Sequence, residues 1–185
     1  MVYDKDHIRS RTGAPVVSYC IPAAHPDQIR LVCEYVASKA NMPTPFDVPN
    51  CAAFAVLDDG DDFIGGVVIS NYRQVDCEIS CACETSFAWS DGVIKAVFTY
   101  VFVQLGCVRC TSITTRGNKK ARGFLDALGF RIEGVARKAY DGKRDAMIYG
   151  YLREECGWID QPDGPETEPV DEEELEPAPL PPSVH

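Results

Sequence analysis

Asn118-Lys-Lys-Ala121-Arg122-Gly-Phe124-Leu125-Asp-Ala-Leu128-Gly129-Phe130-Arg131-Ile132-Glu133-Gly134 is the stretch whose reading decides the fold. Ala121, Phe124, Leu125 and Leu128 recur at helical spacing and share one face, so residues 118–128 form an amphipathic helix. Asn118 stands where an N-cap belongs, and Gly129 stands where a left-handed C-cap belongs. Phe130–Tyr140 and Asp145–Leu152 then read as two strands, with Asp141-Gly142 as a hairpin turn between them.

Working outward, Cys107–Thr115 is β-prone. Ahead of it, Ser90 caps a helix whose residues Gly92–Leu105 are apolar nearly all round, and Gly106 ends it. Val75–Glu84 alternates cleanly: Val75, Cys77, Ile79, Cys81 and Cys83 make one apolar face, and Asp76, Glu78 and Glu84 stand on the other. Cys51–Leu57 and Phe63–Ser70 flank Asp58-Asp59-Gly60-Asp61 as a hairpin, and 42–50, with three prolines, is a loop. Pro26–Asn41 carries Ile29, Val32, Cys33 and Val36 at helical spacing, after a first strand at Val16–Cys20. The order is β-α-β-β-β-α-β-α-β-β, which predicts a mixed α/β domain with a central, mostly antiparallel sheet flanked by helices.

Composition places that domain at 15–159, between an N-terminal arm (1–14) and a Pro/Glu-rich tail (160–185). The tail holds nine acids and no Lys or Arg, lacks apolar periodicity, and is expected to be disordered. Without it the chain is nearly neutral, yet 107–153 carries eleven bases against four acids. Those bases are spread over several elements rather than one stripe, so nucleic acid is not the expected partner; a smaller anion or a merely solvated face explains them as well. The odd count of nine cysteines, set mostly in strand-like runs, fits buried thiols in a reducing cytoplasm. Cys107-Val-Arg-Cys110 has zinc-knuckle spacing but no nearby His, so no metal is expected. His7, His25 and His185 are scattered, there is no nucleophile-elbow motif, and the longest apolar run is too short to cross a membrane.

The spacing Asn118-x-x-Ala121-x-x-Phe124-Leu125-x-x-Leu128-Gly129-Phe130, followed by Arg131-Ile-Glu133-Gly134-Val-Ala-Arg137, Asp145 and Tyr149-Gly150, resembles the C-terminal half of GNAT N-acetyltransferases. It is most similar to the branch that acetylates ribosomal-protein N-termini and to acetyltransferase-like proteins encoded by bacteriophages. The resemblance implies a fold in which the fourth and fifth strands splay apart and the pantetheine arm of acetyl-coenzyme A lies between them. Backbone N–H groups of Cys81, Ala82 and Cys83 would meet the thioester oxygen, and the pyrophosphate would sit at the helix N-terminus formed by Trp89, Ser90 and Gly92. Asn118 would reach the cofactor arm with its amide, or act only as a cap.

Two departures bear on that expectation. The segment Ser86–Gly92 has one glycine, an acid and an indole where the family has a glycine-rich phosphate loop. Either the cofactor sits differently, with Lys119, Lys120 or Arg122 supplying charge, or the site has lost its cofactor. Leu125 stands where many members have a Tyr that protonates the leaving thiolate. Glu84, favoured for its nearness to the Ser90 helix, or Glu78 would serve as general base, with Tyr140 and Tyr149 as fallback acids; each Glu can equally be a solvated strand-face charge. The resemblance thus implies acyl transfer to a protein N-terminus, a lysine or a small amine. The other reading is a non-catalytic GNAT-fold interaction protein, such as a phage virion component. The acidic tail would suit a basic protein partner.

Overall fold

The computed structural model describes residues 18–160; the arm at 1–14 and all of the tail beyond Asp160 lie outside the described residues. The expected order of elements is observed: β1 (Tyr19–Pro22), α1 (Pro26–Lys39), β2 (Ala52–Leu57), β3 (Phe63–Ser70), β4 (Asp76–Cys83), α2 (Asp91–Thr99), β5 (Arg109–Thr115), α3 (Lys119–Leu128), β6 (Arg131–Ala136) and β7 (Ala146–Leu152). The strands form one sheet in the order β1-β2-β3-β4-β5-β7-β6, antiparallel throughout except for β4 beside β5.

Two apolar clusters cover the two faces of this sheet. Val32, Cys33 and Val36 of α1 pack on Ala53 and Val68, while the alternate residues Phe54, Val67 and Ile69 join α2, Leu125 of α3, and β7 in the larger core. Period-two alternation is what lets one strand serve both layers. The larger core closes only with Cys156 and Ile159, which follow β7 and are both buried. There Trp158 Nε1 donates to Leu128 O at 3.1 Å, tying the chain past β7 to the end of α3.

Three expectations are corrected. The first strand is described at Tyr19–Pro22, where its pairing with Leu57 to Phe54 holds it, two residues past the expected end at Cys20; Val16 and Val17 of the expected Val16–Cys20 lie outside the described residues. The long apolar helix is α-helical only to Thr99; Tyr100–Gln104 widen into a π-turn in which Leu105 N–H reaches Tyr100 O at 2.8 Å. That turn keeps Val101 and Phe102 fully buried and puts Val103 in solvent. Asp141-Gly142 is not a two-residue turn, since β6 stops at Ala136 and β7 starts at Ala146. The Asp141 carboxylate instead gathers Lys143 N–H, Arg144 N–H and the Arg144 guanidinium, which winds 137–145 into an independent loop. These bonds, the Arg144 backbone foremost, pull the Asp141 carboxyl down to about 2.

Gly129 ends α3 at φ 105°, a conformation that costs other residues energy, and its bare Cα rests against the Tyr151 ring. A bulge in β6 between Ile132 and Gly134 re-aims Glu133 across Gly150, where a Cβ would meet the carboxylate at 2.0 Å. Glu133 Oε2 thereby reaches Arg109 Nη2 at 2.8 Å.

Candidate active site

β4 and β5 hold together over only three pairs, Asp76 with Arg109, Cys77 with Cys110 and Glu78 with Thr111, and then part. The paired end is stapled by charge. Arg73 binds Asp76, Thr111 Oγ1 donates to Asp76 Oδ1 at 3.2 Å, Arg109 Nε lies 3.6 Å from the same oxygen, and Arg109 is held in turn by Glu133. Beyond this staple the strands enclose a cavity of about 330 Å³. Its walls include Glu78, Ser80 and Cys81 of β4, Ser112 and Thr114 of β5, and Phe124 and Leu125 of α3.

Backbone geometry decides what β4 offers to this gap. In an antiparallel pair, alternate residues turn both N–H and C=O to the same neighbour. Glu84 N–H bonds to Ile64 O of β3 and Val75 O accepts from Val108 and Arg109 N–H, so even-numbered residues face β3 and odd-numbered ones face β5. By the same parity Ile79 N–H closes the last β4–β5 pair on Thr111 O, and past it the odd-numbered Cys81 and Cys83 direct their N–H groups into the gap. Ala82, expected beside Cys81 and Cys83 as an N–H donor, turns to β3 by the same rule.

The expected site residues are distributed unevenly around this wedge. Glu78 lines it, half-buried, at the last paired position. Glu84 does not: it lies at the far end of β4, where Lys39 Nζ is 2.8 Å from one carboxylate oxygen and Tyr35 Oη donates to it at 3.2 Å. The hydrogen bond from Lys39 holds the Glu84 carboxyl below its ordinary value. Tyr140 lines the wedge and donates its hydroxyl to Ala40 O at 3.1 Å, whereas Tyr149 is fully buried and its hydroxyl accepts from Arg122 Nε at 3.3 Å. Asn118 caps α3 through Oδ1, which accepts Ala121 N–H at 3.1 Å. Its amide nitrogen keeps no hydrogen-bond partner among the described residues, at a position lining the wedge.

At the foot of α2, Ser90 caps the helix by accepting Val93 N–H at 3.3 Å and donates to Ser18 O at 2.9 Å. Trp89 packs on Phe124 with ring centroids 5.4 Å apart, so two aromatic rings bridge from the foot of α2 to α3. Asp91 and Gly92 are exposed in the first turn. Thr85 Oγ1, just before this turn, is buried without a hydrogen-bond partner. Arg122 is committed to Tyr149 and to Arg116 O, while Lys119 and Lys120 are exposed, and the Lys120 charge bears on the Cys83 thiol.

A second cavity of about 680 Å³ adjoins the first, and the two share Ala40, Asn118 and Tyr140 in their walls. Lys39, Arg116, Lys143 and Arg144 line it, a set that sequence reasoning missed because it is assembled from three separate segments. The excess of bases over 107–153 was the one signal of it in the sequence. All nine cysteines are free thiols; among the described residues there is no group of three or more metal-ligating side chains, and no helix is long and apolar enough to cross a membrane.

The sequence matches no family model and no curated protein. Solved structures do match. An acetyltransferase of the GNAT family from Bacillus anthracis superposes with a TM-score of 0.57 at 17% identity, over 74% of this chain and 96% of that one. The fold is that of the GNAT acetyltransferases. The spermidine/spermine N-acetyltransferase SpeG from Vibrio cholerae matches with a TM-score of 0.58 at 16% identity, over 75% of this chain and 94% of its own. The ribosomal-protein-S5-alanine acetyltransferase from Vibrio fischeri matches with a TM-score of 0.54 at 15% identity, over 78% and 100%. Against the GNAT fold, the parted β4 and β5 occupy the positions that the resemblance assigned to the fourth and fifth strands.

Proposed function

We propose that the chain is an acyl-coenzyme A-dependent N-acetyltransferase that moves an acetyl group to an amine: a protein N-terminus, a lysine or a small amine. The observation that carries this reading is the parting of β4 from β5 after Glu78 and Thr111, which opens a wedge lined by one carboxylate and faced by spare backbone donors. Acetyl-coenzyme A supplies an activated acyl carbon and a thiolate leaving group. The Cys81 N–H, aimed into the gap, supports the thioester oxygen as negative charge builds on it. Glu78 takes the proton from the incoming ammonium, directly or through a water, and it replaces Glu84 in this role because Glu84 is bound to Lys39 outside the wedge. Asn118 offers its spare amide N–H to the cofactor arm. The phosphates fall to Lys119 and Lys120 together with the first turn of α2 at Ser90 and Gly92, since Arg122 is already engaged. Tyr140, which lines the wedge, is the acid for the departing thiolate. A supply of acyl-coenzyme A and nine reduced thiols both suit the cytoplasm.

A second reading, a non-catalytic interaction protein such as a virion component, draws on one observation. The helix terminus where the phosphates belong is self-capped by Ser90, flanked by Asp91 and bridged by Trp89 on Phe124. Thermal unfolding of the full chain with and without acetyl-coenzyme A separates the two. A ligand at a hundred times its Kd stabilises the folded state by about 2.7 kcal/mol, so the transfer reading requires a clear rise in Tm. An unchanged Tm at millimolar acetyl-coenzyme A leaves the second reading.

A further inference from the structure

The larger cavity has a sign. Of its four cationic lining residues, Lys39 pairs with Glu84 and Arg144 with Asp141, and neither of those carboxylates lines the cavity. Arg116 and Lys143 have no ion-pair partner among the described residues. The single acid in the lining, Asp145, accepts Lys138 N–H at 2.9 Å through Oδ1. A concave surface lined by one sign of charge concentrates counter-ions and repels like charges.

The cavity also has a place in the reaction. The wedge is walled by α3 from Asn118 to Leu125, and by Ala40, Met42 and Tyr140 from the end of α1 and the 137–145 loop. The cationic cavity meets the wedge at Ala40, Asn118 and Tyr140, and it runs between the 140–145 part of that loop and the 115–118 turn that leads into α3. With the cofactor's phosphates at Lys119, Lys120 and the first turn of α2, the adjoining cationic cavity is left for the acceptor on its way to Glu78.

We infer that the acceptor is an anionic amine, one that carries a carboxylate or phosphate held by Arg116 and Lys143 while its amino group faces Glu78. The inference rests on the acetyl-transfer reading and deepens it. The ammonium gives one proton to the Glu78 carboxylate, the freed amine forms a C–N bond to the acetyl carbon as the C–S bond of the thioester breaks, the departing thiolate takes a proton from Tyr140 or water, and the second proton shed by the nitrogen replaces it. A polyamine such as spermidine, the substrate named for the Vibrio cholerae enzyme, meets repulsion at this entrance.

The test compares phosphoethanolamine, a peptide with an N-terminal Ala followed by acidic residues, a neutral peptide and spermidine as acceptors for the full chain, with direct binding of each amine measured by titration calorimetry. The expected order has one or both anionic amines ahead of the neutral peptide and spermidine last. Phosphate against carboxylate is then read from which of the two leads. In the double variant Arg116→Glu, Lys143→Glu, kcat/KM and affinity for the anionic amines should fall at least tenfold while acetyl-coenzyme A affinity stays the same. The double alanine variant should lie between. Spermidine preferred by the unmodified chain, or an acceptor order unmoved by the variants, overturns the inference. Loss of acetyl-coenzyme A affinity in the variants overturns it too, because the cavity then seats the cofactor's phosphates. If the unmodified chain binds no acetyl-coenzyme A, the transfer reading fails, and binding of phosphoethanolamine or the acidic peptide that the double Glu variant abolishes still shows the anion site.

Discussion

Glu78 and Glu84 share a strand face, yet their surroundings differ in kind. Glu84 is spoken for by Lys39 and Tyr35, and its lowered pKa marks a carboxylate kept charged by that pairing. Glu78 lines the wedge. Glu78→Gln should therefore lower kcat for acetyl transfer by roughly a hundredfold with acetyl-coenzyme A affinity nearly intact, the range that loss of a general base gives. Glu84→Gln should change kcat less than threefold. Steady-state kinetics with parallel affinity measurements decide it, and full activity in Glu78→Gln would leave the deprotonation to solvent. From sequence, strand parity put both carboxylates on one face, and nearness to the Ser90 helix pointed to Glu84. What separates them is Lys39, forty-five residues away along the chain and invisible to any local pattern.

At the scale of elements, α3 shows how much a local pattern can specify. Its cap at Asn118, its apolar face and its left-handed stop at Gly129 all appear where the sequence places them. Two glycines of this region should answer oppositely to alanine. Gly129→Ala forces a Cβ into a left-handed residue against the Tyr151 ring and should cost more than about 1 kcal/mol. Gly123→Ala, mid-helix with open space around it, should gain roughly 0.5–1 kcal/mol. Urea unfolding of both variants measures the difference, and equal effects would refute the account. The 137–145 loop was less legible, because Asp141-Gly142 carries a turn signal whichever length of connection surrounds it. The longer form is set by the bonds that Lys143 N–H, Arg144 N–H and the Arg144 guanidinium together donate to the Asp141 carboxylate.

For the molecule as a whole, the order of elements followed from alternation and caps, while the wedge, the staple at its base and the cationic cavity depend on residues that meet only in the folded state. The C-terminal boundary is similar: composition put 153–159 inside the domain without saying why, and in the folded state Cys156 and Ile159 complete the core. A chain ending after Asp160 should keep its Tm, whereas one ending after Leu152 loses Cys156, Ile159 and the Trp158 bond to Leu128, and should melt far lower or fail to fold. Burial of one such aliphatic side chain alone contributes about 1.5–3 kcal/mol. Equal melting temperatures would mean that the core closes without them. The parting of β4 from β5 has a consequence for solvent as well. Backbone donors do not go unpaired in a protein interior, so the N–H groups of Cys81 and Cys83 must bond to water that enters the middle of the sheet. Their hydrogens should therefore exchange with deuterium far faster than those of Val67 and Val68 in β3, and should slow when acetyl-coenzyme A is added, as though the sheet had gained a strand.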